Sequence, residues 1–221
     1  MFQKYINQYL IGKKCIFTLQ NFTHTRNMNN ETAEAVQAAL AEQANPKNIS
    51  SFQRFFKMGK VYRFLAASKA SSRDDNLRTE LSTFYINALK RGRVNNWDLV
   101  DLSAEHLLGA YLEDQSRQLL FDLASSTQLW ERRAAIVATF AFIKRKDGST
   151  TFELAKKLLD DPEPLIHKAT GWMLRETGKK ISQKVLTSFL DQYAAQMPRT
   201  MLSYAVEHLS VKQRTHYRNL R

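Results

Sequence analysis

The chain has 221 residues, 43% hydrophobic and 24% charged, a balance that excludes wholesale disorder and supplies enough apolar surface for a buried core. Its formal net charge of +12 points to polyanionic partners. The single cysteine, Cys15, excludes an internal disulfide and a multi-cysteine zinc site, and no apolar run reaches the roughly 18–20 residues of a bilayer span. A cytoplasmic, nucleoid-associated monomer with no membrane attachment is therefore the expectation. Seven Gly, four Pro and no bounded runs of alternating β-branched residues make the fold class all-α.

Residues 1–28 are rich in Asn, Tyr, Phe and Thr without helical periodicity, and read as an appendage, with Met28 as an alternative start. Helical runs are predicted at Ala33–Ala44, ended by Asn45-Pro46, and at Ser50–Met58, ended by Gly59. From Asp74 the pattern is helix after helix. Leu77, Leu81, Phe84, Tyr85, Ala88 and Leu89 recur at spacings of three and four, one apolar stripe. Further helices are predicted over Trp97–Leu112, Ser116–Ala124, Leu129–Ile143, Thr151–Leu159, Leu165–Thr177, Lys184–Ala194 and Met197–Leu209. They are punctuated by Asp147-Gly148-Ser149, Asp160-Asp161-Pro162-Glu163-Pro164, Gly178 and Pro198. Connections this short imply antiparallel neighbours, in an α-solenoid or a bundle. Residues 131–221 carry a net +8, and cationic or aromatic residues recur on alternate helices, so stacked pairs would line up a concave basic surface.

Three segments place polar and aromatic residues where a plain core would take Leu or Ala. Trp97 and Asp101 are four apart and share one helix face; Asn95 or Asn96 suits the N-cap, and Asp98 suits the dipole of the first turn. Asp101, a turn deeper, is either an ion-pair partner or a site residue. Arg132 and Arg133 point about 100° apart, so one could clamp a phosphate while the other pairs with an acid such as Glu131 or Asp101. Trp130, beside them, reads as core. Lys168, Trp172 and Arg175 form one stripe of cation, aromatic and cation. Gly171 costs roughly 1 kcal/mol against Ala inside a helix, so it marks a close approach by a neighbouring helix or a ligand. His167 has no companion at metal-ligand spacing, and no metal is expected.

Together, Asn95-Asn96-Trp97-Asp98-Leu99-Val100-Asp101, Leu129-Trp130-Glu131-Arg132-Arg133, His167-Lys168-Ala169-Thr170-Gly171-Trp172-Met173-Leu174-Arg175-Glu176 and Met197-Pro198-Arg199-Thr200 resemble the DNA alkylation repair family of HEAT-like bacterial alkylpurine glycosylases. The likeness runs from about Asp74 to the C-terminus, with an echo at Phe52–Lys60. It implies a HEAT-like α-solenoid over 29–221, stacked antiparallel helix pairs forming a concave basic groove for duplex DNA. It also implies excision of N3- and N7-alkylated purines without cofactor or metal. By motif, Asp101 would be the catalytic carboxylate and Trp97 and Trp172 the indoles flanking the lesion sugar. Arg133, Arg175, Lys168, Arg132 and Arg199 would be the DNA-binding cations. Against the family pattern, Phe55-Phe56-Lys57-Met58-Gly59-Lys60 passes straight into Val61-Tyr62-Arg63 and a polar stretch, so about one helix pair is lacking near 60–74. That departure keeps two other readings in play: a non-catalytic DNA-structure binder on the same scaffold, and a HEAT-type protein-interaction module.

Overall fold

A computed structural model describes residues 75–220. The appendage at 1–28, the helical runs at 33–44 and 50–58 and the shortened segment at 60–74 lie outside the described residues. Every regular element within them is helical, so the fold is all-α.

Helix α1 (Asp75–Lys90) buries Tyr85 and Leu89 of its apolar stripe and leaves Phe84 on the surface. It stops at Gly92, whose φ of +64° lets its N–H reach the Leu89 carbonyl (2.9 Å) and the Arg93 N–H reach that of Ala88 (2.8 Å). This left-handed cap satisfies the last carbonyls and favours glycine. Helix α2 (Trp97–Ala104) starts at Asn96, whose side chain accepts the Leu99 N–H at 2.9 Å.

The continuous helix predicted over 97–112 is not formed. After Ala104 the chain widens into a π-helical turn (Glu105–Gly109), closed by the Ala110 N–H on the Glu105 carbonyl at 2.9 Å, and then runs into turns. The predicted helix over 129–143 is also divided, into α4 (Leu129–Ala138) and α5 (Phe140–Lys144), following α3 (Gln118–Ala124). The hinge is Thr139. Its hydroxyl donates to the Ile136 carbonyl at 2.7 Å and its N–H to the same oxygen at 3.2 Å, which diverts the backbone from its i−4 ladder.

Helix α6 (Ser149–Lys157) leads to α7 (Pro164–Lys180), the longest described helix, with Pro164 in its first turn where no N–H is required. Helices α8 (Gln183–Tyr193) and α9 (Arg199–Ala205) follow, and then α10 (Val211–Asn219), which the periodicity did not predict. It is mostly polar, buries only Tyr217, and begins with a capping box between Ser210 and Gln213.

Helix α7 is the hub. It packs on α4, α5 and α6 on the chain-preceding side and on α8 and α9 on the other. The closest approach is at Gly171, where a Cβ would lie 2.6 Å from the Tyr204 Cβ and nearer still to the Met201 carbonyl. The neighbour for which Gly171 makes room is therefore helix α9. The core around this contact includes Leu174, Leu186, Leu190, Met201, Leu202 and Val206, and full burial of each such side chain is worth about 1.5–3 kcal/mol.

Candidate functional site

Asp101 projects from α2 into the protein, 6% exposed, and meets Arg133 of α4, 7% exposed. The pair is bidentate: Nε donates to Oδ1 at 2.9 Å and the second guanidinium nitrogen to Oδ2 at 2.8 Å. The remaining guanidinium nitrogen donates to the carbonyl of Leu165, in the first turn of α7. Arg133 thus fastens three helices at one point, the one that carries Asp101, its own, and the one that carries Trp172. In the Arg132-Arg133 step it is Arg133 that pairs with Asp101; expected to bind DNA, it is buried, with all three guanidinium nitrogens engaged within the protein.

Burial drives the Asp101 carboxyl above the ordinary aspartate range, and the hydrogen bonds and charge of Arg133 oppose that rise. Asp98, a turn earlier, is pushed up by partial burial and then by repulsion from Asp101. Behind the pair lies Tyr85, fully buried, with its hydroxyl 3.1 Å from the Ser103 hydroxyl. Burial raises the phenol too, and the nearby Asp101 charge adds to the rise, so Tyr85 keeps its proton.

Trp97, one turn before Asp101 on α2, is 47% exposed. Trp172 is half-buried on α7, and its ring meets that of Phe140 with centroids 6.0 Å apart and planes at 44°. Lys168 is exposed one turn before it.

Three other candidates are tied to the protein. Arg132 makes a bidentate pair with Asp161 (2.6 and 3.2 Å) and donates to the Ser126 and Thr127 carbonyls, joining the loops before α4 and α7. Arg175 pairs with Glu207, in the turn after α9, and with Glu176 at 3.3 Å, beside a cleft of about 380 Å³ also lined by Lys179, Gln183 and His208. Arg199 donates to the Arg218 carbonyl at 2.7 Å. His167 binds the Asp161 carbonyl, a loop-closing role, and Trp130 is half-buried. Among the described residues, no three His, Cys, Asp or Glu side chains gather as a metal requires.

A family model described as DNA alkylation repair enzyme matches residues 62–209. The chain belongs to that family. No curated protein and no solved structure matches it. The match takes in α2, α4, α7 and α9, so every residue of the Asp101 cluster falls inside it.

Residues that the sequence reading missed surround Trp172. Phe140 packs tilted against it, the Lys144 ammonium lies 4.8 Å from the Phe140 ring centre, and that of Lys180 lies 5.4 Å away. Periodicity assigned Phe140 to the interior of a long helix. The break at Thr139 is what turns it toward α7, and the only advance signal was a β-branched hydroxyl residue amid Ala, Ile and Val.

Proposed function

We propose that the chain is a DNA glycosylase that excises cationic N3- and N7-alkylated purines from duplex DNA, with Asp101, Trp97 and Trp172 at its active site. The observation that carries this reading is Asp101, a carboxylate almost wholly removed from water on a helix that also presents an exposed indole. Helix-on-neighbour packing from α2 through α4 and α7 to α9 supports a solenoid whose concave side would accept the duplex.

Alkylation at N3 or N7 makes the purine cationic, so its glycosidic bond is weakened and the base departs neutral without a general acid. Positive charge develops on the deoxyribose, in an oxocarbenium-like transition state. A fixed carboxylate in a low-dielectric setting stabilises that charge and orients the attacking water. Indole faces add cation–π attraction of about 0.5–2 kcal/mol each. Arg133 sets the aim of the carboxylate and limits the rise of its pKa, so that it remains an anion. Lys168, standing exposed one turn before Trp172, would meet the phosphate backbone. Arg132, Arg175 and Arg199 would contribute their residual field, since each is already engaged. No cofactor enters the reaction, and a monomer working on nucleoid DNA in the cytoplasm is the expected setting.

The test is release of 7-methylguanine or 3-methyladenine from alkylated duplex DNA by the full chain. Asp101→Asn and Trp172→Ala should each lower release by about 100-fold or more while sparing most duplex binding. Melting curves must accompany the assay, because Asp101→Asn also weakens the partner of a buried arginine. Full release by a folded Asp101→Asn variant overturns the mechanism.

A further inference from the structure

Phe140 gathers positive charge in a way that packing alone does not require. Lys144 closes α5 and Lys180 closes α7, yet both ammoniums come within 6 Å of the same ring, at 4.8 and 5.4 Å. Lys146, just after α5, donates to the Lys180 carbonyl and so ties the end of α7 to the end of α5. Lys144 has a carboxylate partner, Glu105 of the π-helical turn. Among the described residues, Lys180 has none. The nearby Asp147 is taken up by Arg117 at 2.6 Å. The patch therefore keeps an excess of cations where Lys144 is exposed and Lys180 partly so, and like charges there repel unless an anion is shared between them. Phe140 in turn leans on Trp172, so this excess begins one ring away from the indole of the candidate active site.

We propose that Phe140, Lys144 and Lys180 form a phosphate-gripping platform that binds the DNA backbone beside the nucleotide facing Trp172. The inference rests on the glycosylase reading for the place of Trp172, and on charge and geometry alone for the ligand. Lys180 contacts the phosphate as a point charge, and Lys144 shares it by releasing part of its hold on Glu105. Phe140 is a positioning residue, with a ring face that holds both ammoniums in place by cation–π attraction.

The experiment is fluorescence anisotropy of the full chain on a labelled, undamaged duplex across a salt series. It is run with Lys180→Gln, Lys144→Gln, Phe140→Leu and, as a control, Lys212→Gln on α10, whose side chain is exposed. Each neutralised phosphate contributes about 0.9 to the slope of log affinity against log salt. Lys180→Gln should lower the slope by about that amount and weaken binding several-fold at low salt. Lys144→Gln should lower it by less, because Glu105 already offsets part of the Lys144 charge in the wild type. Phe140→Leu should weaken binding about two- to five-fold with little change of slope, the loss expected when about 0.5–1 kcal/mol of cation–π attraction is removed. Lys212→Gln should match the wild type. A Lys180→Gln variant that melts like the wild type and keeps the full slope overturns the platform, as does a wild type that binds no duplex. Because binding is read on an undamaged duplex, a chain that releases no base from alkylated duplex in the separate release assay, yet loses slope in Lys180→Gln, refutes the glycosylase reading and upholds the platform.

Discussion

Asp101 and Arg133 hold opposite charges at 6% and 7% exposure, whereas Lys144 and Lys180 hold like charges over one ring, with Lys144 at 46% exposure. Depth decides what each arrangement is for. In the interior, water cannot screen a lone charge, so each partner of the buried pair depends on the other for its solvation. The bidentate geometry also fixes the relative positions of α2, α4 and α7. At the surface, water and counterions already solvate the lysines, and their worth appears only when a polyanion displaces those ions. One arrangement acts on stability and aim, the other on affinity and its salt dependence.

The sharpest way to break this contrast is Arg133→Met, which should destabilise the fold by roughly 3–5 kcal/mol by leaving the Asp101 charge buried and unpaired. Chemical denaturation measures it. Adding Asp101→Leu should recover much of the loss, because two apolar side chains need no counter-charge. If the single variant unfolds like the wild type, the pair does not hold the helices.

Next in size is Gly171→Ala. Its Cβ would fall 2.6 Å from the Tyr204 Cβ and closer to backbone oxygen, so α7 and α9 must separate. Overpacking of this kind costs about 1–3 kcal/mol, more than the gain of about 1 kcal/mol in helix propensity. A lower melting temperature is expected, and a higher one would show that the two helices have room to move.

The smallest effect is one of pH. The acting form of Asp101 is the carboxylate, and burial moves its pKa upward from the ordinary 3.8. The rate of base release should therefore be steady at neutral pH and fall on acidification, with its acid limb above that of an exposed aspartate. Single-turnover release across the acidic range, at pH values where the fold persists, measures the limb. A limb at or below 3.8 would mean that Arg133 outweighs burial.

Much of this was legible along the chain. The helix start at Asn96 follows from its cap chemistry and the apolar stripes from spacing, while Pro164, read as the end of a break, opens α7 in its first turn. Trp97 and Asp101 were bound to share a face because four residues make about one turn. Gly171 announced a close approach, though not whose. The π-helical turn after Ala104 and the hinge at Thr139 were hidden, since both depend on backbone hydrogen bonds that leave the hydrophobic pattern intact. Helix α10 was hidden for the opposite reason: it has almost no apolar stripe to read.

By itself, then, the sequence determined the helical character of the described residues, the cationic character of its last third, and the segments that bear its family's motif residues. These are local properties, written in spacing, caps and composition. Only the tertiary structure decided that Arg133 turns inward to Asp101, 32 residues away, while Arg132 closes a loop with Asp161. It alone brought Phe140 against Trp172 and two lysines against Phe140. Adjacent arginines look alike in a sequence. Which one is buried depends on how three helices meet, and that meeting is fixed by packing between distant residues, which no local pattern records.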